Sequence, residues 1–223
     1  KFKTEDDLEK WCKKIKMEYG TFLKSLGSGG SGNHFCEYDV NEELEKYCIT
    51  IHCGSRNLGL KIFKYWHNIA NKPNKKPGQM NGFLYGADFK RYIVDLVLAQ
   101  EYALLNHDVI ISEIAKIYKK MCGGKIIESI HTMHNYIDLT EYNPMVRKGA
   151  ISSYTDELMI IPFNMRDGIA VCEGKSNPDW NNTASHGAGR IMSRAKAKQT
   201  LNVEEYQKQL DDFILENTEI PKK

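Results

Sequence analysis

The chain has no Cys-x-x-Cys pair, no long uninterrupted apolar run and almost no net charge. Its six cysteines (Cys12, Cys36, Cys48, Cys53, Cys122 and Cys172) follow no framework spacing. That excludes a disulfide scaffold and fits reduced thiols in a cytoplasmic or nuclear protein. The longest apolar stretch, "YIVDLVLAQEYALL", is broken by charge and too short to cross a bilayer, so no membrane partner is expected. No secretory signal opens the sequence. A net charge of +2 is too small to argue for nucleic acid by itself, so any basic surface would have to be a local patch. There is no internal repeat, and no regular strand–helix–strand rhythm of a doubly wound sheet.

What is present is an ordinary globular composition: 223 residues, 41% apolar and 27% charged, enough for one large domain. The periodicity predicts a helix over 4–24, with Phe2, Leu8, Trp11, Ile15 and Phe22 recurring near one face. A Gly/Ser stretch, 27–32, ends it. Strands are predicted over 34–39 and 47–53, flanking the polar turn "DVNEELEK". A helix over 56–71 is followed by "NKPNKKPGQMNG", a loop by its Pro, Gly and Asn content. Two helices, 87–106 and 108–121, are predicted with a break at "NHD", where Asp108 would cap the second. Short strands are expected at 124–138, 148–153, 157–162 and 169–173, and helices at 189–199 and 203–216. The class expected is α+β. The abrupt start in "KFKTEDD" and the stop after "EIPKK" suggest cuts at both ends.

Histidines carry the candidate chemistry. With the hairpin turn centred near Glu43, antiparallel pairing would set His34 directly opposite His52, with Cβ atoms roughly 4.5–5.5 Å apart. Period-two alternation would then put Cys36 on the face of His34, and Cys48 and Thr50 on the face of His52. Paired imidazoles suit Zn²⁺, Mn²⁺ or Fe²⁺, but an ordinary cross-strand pair accounts for the spacing equally well, and a slip of one residue would separate the faces. In "SIHTMHNYIDL", one of His131 and His134 is the candidate to join them. By spacing alone, a structural histidine is the better reading there. In "SHGAGRIMSRAKAKQ", His186 precedes three small residues and a helix expected to start near Arg190. Such a start suits an anion, with Arg190, Arg194, Lys196 and Lys198 nearby, although loop glycines capping a helix explain the pattern too.

Six segments in order resemble the RtcB family of RNA-splicing ligases: "GSGNHFCE" (30–37), "HCGSRNLG" (52–59), "MHNY" (133–136), "RKGAIS" (147–152), "IIPFNMRDG" (160–168) and "SHGAGRIMSRAKAK" (185–198). The resemblance implies joining of RNA ends bearing a 3′-phosphate or 2′,3′-cyclic phosphate to 5′-hydroxyl ends, in tRNA splicing or RNA repair. It implies GTP and Mn²⁺ as cofactors, with Zn²⁺ an alternative ion. It implies mixed sheets with an antiparallel sandwich core flanked by helices. It also implies a single catalytic domain over 1–223: leading helix 1–26, motif-bearing core 27–199 and C-terminal helix 200–223. By match to the family motifs, His34, His52 and His134 are expected metal ligands, and His186 the nucleophile that carries GMP. The guanylate would be surrounded by Asn33, His34, Phe35, Cys36, Glu37, His134, Asn135, Pro162, Phe163, Asn164, Met165, His186, Gly187, Ala188 and Gly189. Arg56, Arg147, Lys148 and Arg190 are candidate contacts to RNA phosphates.

Three departures from the family accompany the match. No Cys fits the Asp-x-x-Cys metal motif expected upstream of the first His. No segment supplies the C-terminal Lys that contacts the guanylate. Ile169 stands where a Ser is common. The expectation is therefore a parent ligase whose isolated 223-residue chain is weak or inactive. The alternatives are an inactive RNA- or metal-binding relic and, further off, a metal-dependent hydrolase, which would leave the Gly-Ala-Gly-Arg loop without a role.

Overall fold

In the computed structural model the described residues are 2–41, 45–71, 82–140 and 144–217. The centre of the expected "DVNEELEK" turn, nearly all of the "NKPNKKPGQMNG" loop and the last six residues lie outside them. The described chain alternates helices and short antiparallel strands, an α+β fold. It divides into two compact units. The first comprises the described parts of Lys1–Ser129 with Tyr136–Val146; the second comprises those of Ile130–Asn135 with Arg147–Lys223. The described strands pair two by two, as β1-β2, β3-β4, β5-β8 and β6-β7.

The first unit opens with α1 (Glu5–Lys14), whose start and end follow from the sequence. Thr4 caps it by accepting from the Asp7 N–H. Acidic residues fill its first turn and Lys13 and Lys14 its last, matching the helix dipole. The helix expected over 4–24 is in fact two. Lys16 takes a left-handed backbone, φ 57°, and Glu18 caps a second helix, α2 (Tyr19–Lys24), through the Gly20 and Thr21 N–H groups. After the hairpin of β1 (Phe35–Asn41) and β2 (Lys46–His52) come α3 (Asn57–Asn71) and α4 (Gly86–Cys122). The expected break at "NHD" is absent, because α4 runs through it without interruption. Gly123 ends α4 in the left-handed region, φ 71°, where its N–H reaches the Lys119 carbonyl.

The core of this unit packs Trp11, Cys12 and Ile15 with Phe22, Leu58, Ile62, Trp66, Ala99 and Tyr102. At its centre lies a buried carboxylate. Asp95 Oδ1 accepts from Trp11 Nε1 at 3.1 Å and Oδ2 from Trp66 Nε1 at 2.8 Å, which ties α1, α3 and α4 together. The Tyr102 hydroxyl donates to the Phe22 carbonyl at 2.8 Å.

The chain passes between the units within β3 (Asn135–Asp138) and β4 (Met145–Lys148), so only the end of the strand expected over 124–138 forms. The second unit carries β5 (Ala150–Ser152) paired with β8 (Thr183–Ser185), and β6 (Leu158–Asn164) paired with β7 (Gly168–Glu173). Two helices follow, α5 (Arg194–Thr200) and α6 (Val203–Asn217). Among the described residues no helix is long and apolar enough to cross a membrane.

Candidate active site

Two histidine pairs stand out, one in each unit. In the first unit the observed register pairs Phe35 with His52, Glu37 with Thr50 and Asp39 with Cys48. This is one residue away from the register expected, in which His34 opposed His52. The slip moves Cys36 to the other face of the hairpin, across from Ile51, so it does not share a face with His52. His34 nevertheless meets His52, because it precedes β1 and its ring is not bound by the strand's alternation. The two rings lie 5.8 Å apart, and Phe35 packs edge-on against His52 at 5.3 Å.

The orientation of His34 is set by the Gly/Ser stretch before it. Its Nδ1 lies 2.7 Å from the Gly29 carbonyl oxygen. A carbonyl only accepts and a guanidinium only donates, so the contacts of Nδ1 to Gly29 O (2.7 Å) and to Arg56 Nη1 (3.3 Å) ask for opposite tautomers. The shorter one favours a hydrogen on Nδ1, which in the neutral ring leaves Nε2 its lone pair. Arg56 borders the same loop. Its Nε donates to Ser28 Oγ at 3.1 Å and its Nη1 to Gly29 O at 3.0 Å, with Nη1 3.3 Å from His34 Nδ1. The contact fixes a glycine: a Cβ on Gly30, φ 93°, would sit 1.5 Å from Arg56 Nη1. Arg56, expected as an RNA contact, is thus engaged with the protein's own backbone.

A divalent ion can be tested against this pair. Two imidazoles on one tetrahedral ion, with metal–nitrogen distances of about 2 Å, place their ring centres about 5 Å apart. The observed 5.8 Å fits two ligands of such an ion. Among the described residues no group of three His, Cys, Asp or Glu side chains is arranged to hold one.

In the second unit His134 and His186 stack, with ring centres 4.8 Å apart and planes 21° from parallel. The neighbouring His131 is exposed. Three segments build this pair. The His134 carbonyl accepts from Gly149 N at 2.7 Å and Ala150 N at 3.3 Å, and Asn135 Oδ1 also accepts from Gly149 N at 3.1 Å. The Thr132 hydroxyl accepts from Ile160 N at 3.0 Å, which joins this segment to β6. After β8, the Pro162 carbonyl accepts from Ala188 N at 3.3 Å, and a Cβ on Gly187 would come within 3.1 Å of the same carbonyl. Gly149 flanks the His186 ring closely: a Cβ there would lie 3.3 Å from Cε1.

The other expected site residues divide by placement. His134, Asn135, Pro162, His186, Gly187 and Ala188 gather in the second unit as just described. Asn164 is taken up by the β6–β7 turn, where Oδ1 accepts from the Arg166 and Asp167 N–H groups. Phe163 and Met165 point outward, 45% and 62% exposed. Asn33, Lys148, Gly189 and Arg190 are exposed. Cys36 and Glu37 line an apolar cavity of about 330 Å³ with Ile49, Ile114, Tyr118 and Met121. Burial, with the charge of Asp39, pushes the Glu37 carboxyl above its usual range. Ile169 lies opposite Pro162 in the β6–β7 ladder.

Two expectations are corrected. The helix expected from Arg190 begins at Arg194, because Ser193 is its cap and accepts from Lys196 N. The Gly-Ala-Gly run is therefore loop, not a helix start. Arg147, expected as an RNA contact, is 2% exposed. Its guanidinium donates to the Asn181 carbonyl and the Thr183 and Tyr154 hydroxyls, so it holds the fold around β8 and offers no surface to a phosphate. Reading the sequence also passed over Ser28, Gly29, Asn106 and Thr132, whose parts are played through backbone groups or burial that no local pattern encodes.

A family model described as "tRNA-splicing ligase RtcB" matches residues 5–218. The chain is 30% identical over 222 residues to the RNA-splicing ligase RtcB of Escherichia coli strain K12, a match covering 89% of this chain and 54% of the relative. It is 26% identical over 227 residues to the tRNA-splicing ligase RtcB of Aeropyrum pernix, covering 79% and 47%. The chain thus spans about half the length of the curated relatives it matches. No solved structure gives a significant match.

Proposed function

Because the chain belongs to the RtcB family, we propose that it is the histidine-bearing part of an RNA ligase that joins 3′-phosphate or 2′,3′-cyclic phosphate ends to 5′-hydroxyl ends at the cost of GTP. The observation that carries the reading is the stacked pair of His134 and His186, built where the matched segments of the second unit converge. His186 is the nucleophile. Its bare ring nitrogen forms a bond to the α-phosphorus of GTP as the bond to pyrophosphate breaks, leaving GMP on the ring. The guanylate then moves to the RNA 3′-phosphate, and the 5′-hydroxyl displaces it. Stacking on His134 and the close flank of Gly149 limit the swing of the His186 ring, which favours in-line attack.

In this reading His34 and His52 ligate a divalent ion. A bound Mn²⁺ or Zn²⁺ would neutralise the triphosphate and orient its leaving group. The Nδ1 contact of His34 to Gly29 supports that role, since it leaves Nε2 as the donor. Lys148 and Arg190 are exposed and suit contacts to an RNA backbone.

The test is guanylylation of the full-length protein. With Mn²⁺ and α-labelled GTP, acid-labile and alkali-stable label should appear on the protein and fall at least 100-fold in His186→Ala. Label that survives in that variant removes the nucleophile assignment. Salt-dependent RNA binding with no label in the wild type would favour the inactive-relic reading, to which Ile169 also points.

A further inference from the structure

Asn106 sits in the middle of α4 with no exposed surface. Its amide has five hydrogen-bond contacts to two segments distant in sequence, the two Nδ2 hydrogens being shared among three acceptors. Oδ1 accepts from Gly27 N at 2.7 Å and Ser28 N at 3.2 Å. Nδ2 donates to Ser28 O at 3.2 Å, Cys53 Sγ at 3.2 Å and Gly54 O at 3.3 Å. The next residue, His107, adds Nε2 to the Cys53 carbonyl at 3.0 Å, and the carbonyl again requires that nitrogen to carry the hydrogen. These segments are the lead into His34 and the exit from His52.

We propose that Asn106 is a positioning residue for His34. By tying Gly27 and Ser28 to Cys53 and Gly54, it holds the Gly29 carbonyl where it takes the Nδ1 hydrogen, so that Nε2 is the nitrogen presented to a divalent ion. Arg56 locks the same loop from the other side, through Ser28 Oγ and the Gly29 carbonyl. A primary amide suits this place because it both accepts from two adjacent N–H groups and donates to the far segment. An aliphatic side chain would leave those backbone groups buried and unserved, and a carboxylate would lose every donor contact. The inference rests on the reading of His34 as a metal ligand, but its first half concerns the ring alone.

The experiment records imidazole nitrogen shifts of His34 in metal-free full-length protein, wild type and Asn106→Ala. Titration calorimetry with MnCl₂ follows on both. The wild type should show the hydrogen on Nδ1. In Asn106→Ala the ring should become a mixture of tautomers, and Mn²⁺ affinity should fall about 10–100-fold, as for lost outer-shell support elsewhere. Asn106→Asp, which keeps the size and the acceptors, should retain part of both signals. A wild-type ring with its hydrogen on Nε2 overturns the proposal whether or not the variants fold. So does a folded Asn106→Ala protein that keeps both the Nδ1 signature and its Mn²⁺ affinity. A wild type with the Nδ1 signature, lost in Asn106→Ala, but no Mn²⁺ binding would uphold the positioning and sink the metal reading instead.

Discussion

In the first unit, His34 and His52 stand at the open end of a seven-residue ladder beside a helical core built on two tryptophans; in the second, His134 and His186 stack across segments joined by a three-residue ladder. Among the described residues, the buried side chains of the second unit are few: Ile151, Met159 and the cation Arg147. Each pair is oriented by the means its surroundings supply. Where a deep core exists, a buried amide on α4 can reach out and fix the loop that aims an imidazole. Where little apolar mass is available, ring stacking and a close-lying glycine backbone do the aiming. The first arrangement should therefore fail through its core, and the second through backbone shape and its polar contacts.

The largest expected effects set the two units against each other. Asp95→Ala leaves the Trp11 and Trp66 indole N–H groups buried without their carboxylate, and should cost about 3–5 kcal/mol by urea unfolding. Arg147→Met strips a donor from the Asn181 carbonyl and the Thr183 and Tyr154 hydroxyls, at about 2–3 kcal/mol. Amide hydrogen exchange should locate the first loss in α1, α3 and α4 and the second around β5 and β8. Losses in the reverse order would break the comparison.

The α+β class and the His34–His52 neighbourhood were legible from local alternation, whereas His134 and His186 were singled out only by their match to the family motifs. The hairpin register was not legible. Turn length decides it, and "HFCEYDV" against "YCITIH" alternates weakly enough to accept either pairing. His34 still meets His52 only because it lies just outside the strand. The continuity of α4 through "NHD" was hidden for a different reason. Asn and Asp read as helix breakers when their side chains compete for local backbone, but the Asn106 amide is consumed by distant partners, so tertiary contacts override the local preference. The late start of α5 was readable in principle, since Ser193 is a better cap than the glycines before it. What no pattern could supply is the role of Gly149, which depends on a ring brought to it by folding.

That glycine offers a way to separate strain from function in the second unit. Gly149→Ala and Gly168→Ala both force alanine into the left-handed region, φ 63° and 68°, and each should cost about 1–2 kcal/mol. Only at Gly149 does the added Cβ meet His186; at Gly168 nothing lies within 4 Å. Gly149→Ala should therefore slow guanylylation about 10-fold beyond Gly168→Ala in single-turnover labelling, a ratio that reads the shape constraint on the ring. Equal rates would mean that the glycine shapes only the backbone.

The smallest effect has the opposite sign and belongs to the first unit. Asp39 lies opposite Cys48 in the hairpin, and its buried Oδ2 accepts no hydrogen bond among the described residues. Burial pushes its carboxyl above the usual range, and its charge in turn helps raise Glu37. The folded hairpin therefore holds the Asp39 proton more tightly than the unfolded chain does. The associated stability is fully present below the ordinary Asp value of about 3.9 and is lost as pH rises through the raised folded value. Asp39→Asn should accordingly raise the urea midpoint slightly at pH 7, with the gain vanishing near pH 3. Urea midpoints of the variant and the wild type across that range measure it. The two charges then behave oppositely: removing the buried, well-bonded Arg147 weakens its unit, and removing the half-buried Asp39 strengthens its own. A loss at pH 7 in Asp39→Asn would show that the carboxylate has a partner after all, and the contrast between the units would not extend to their charges.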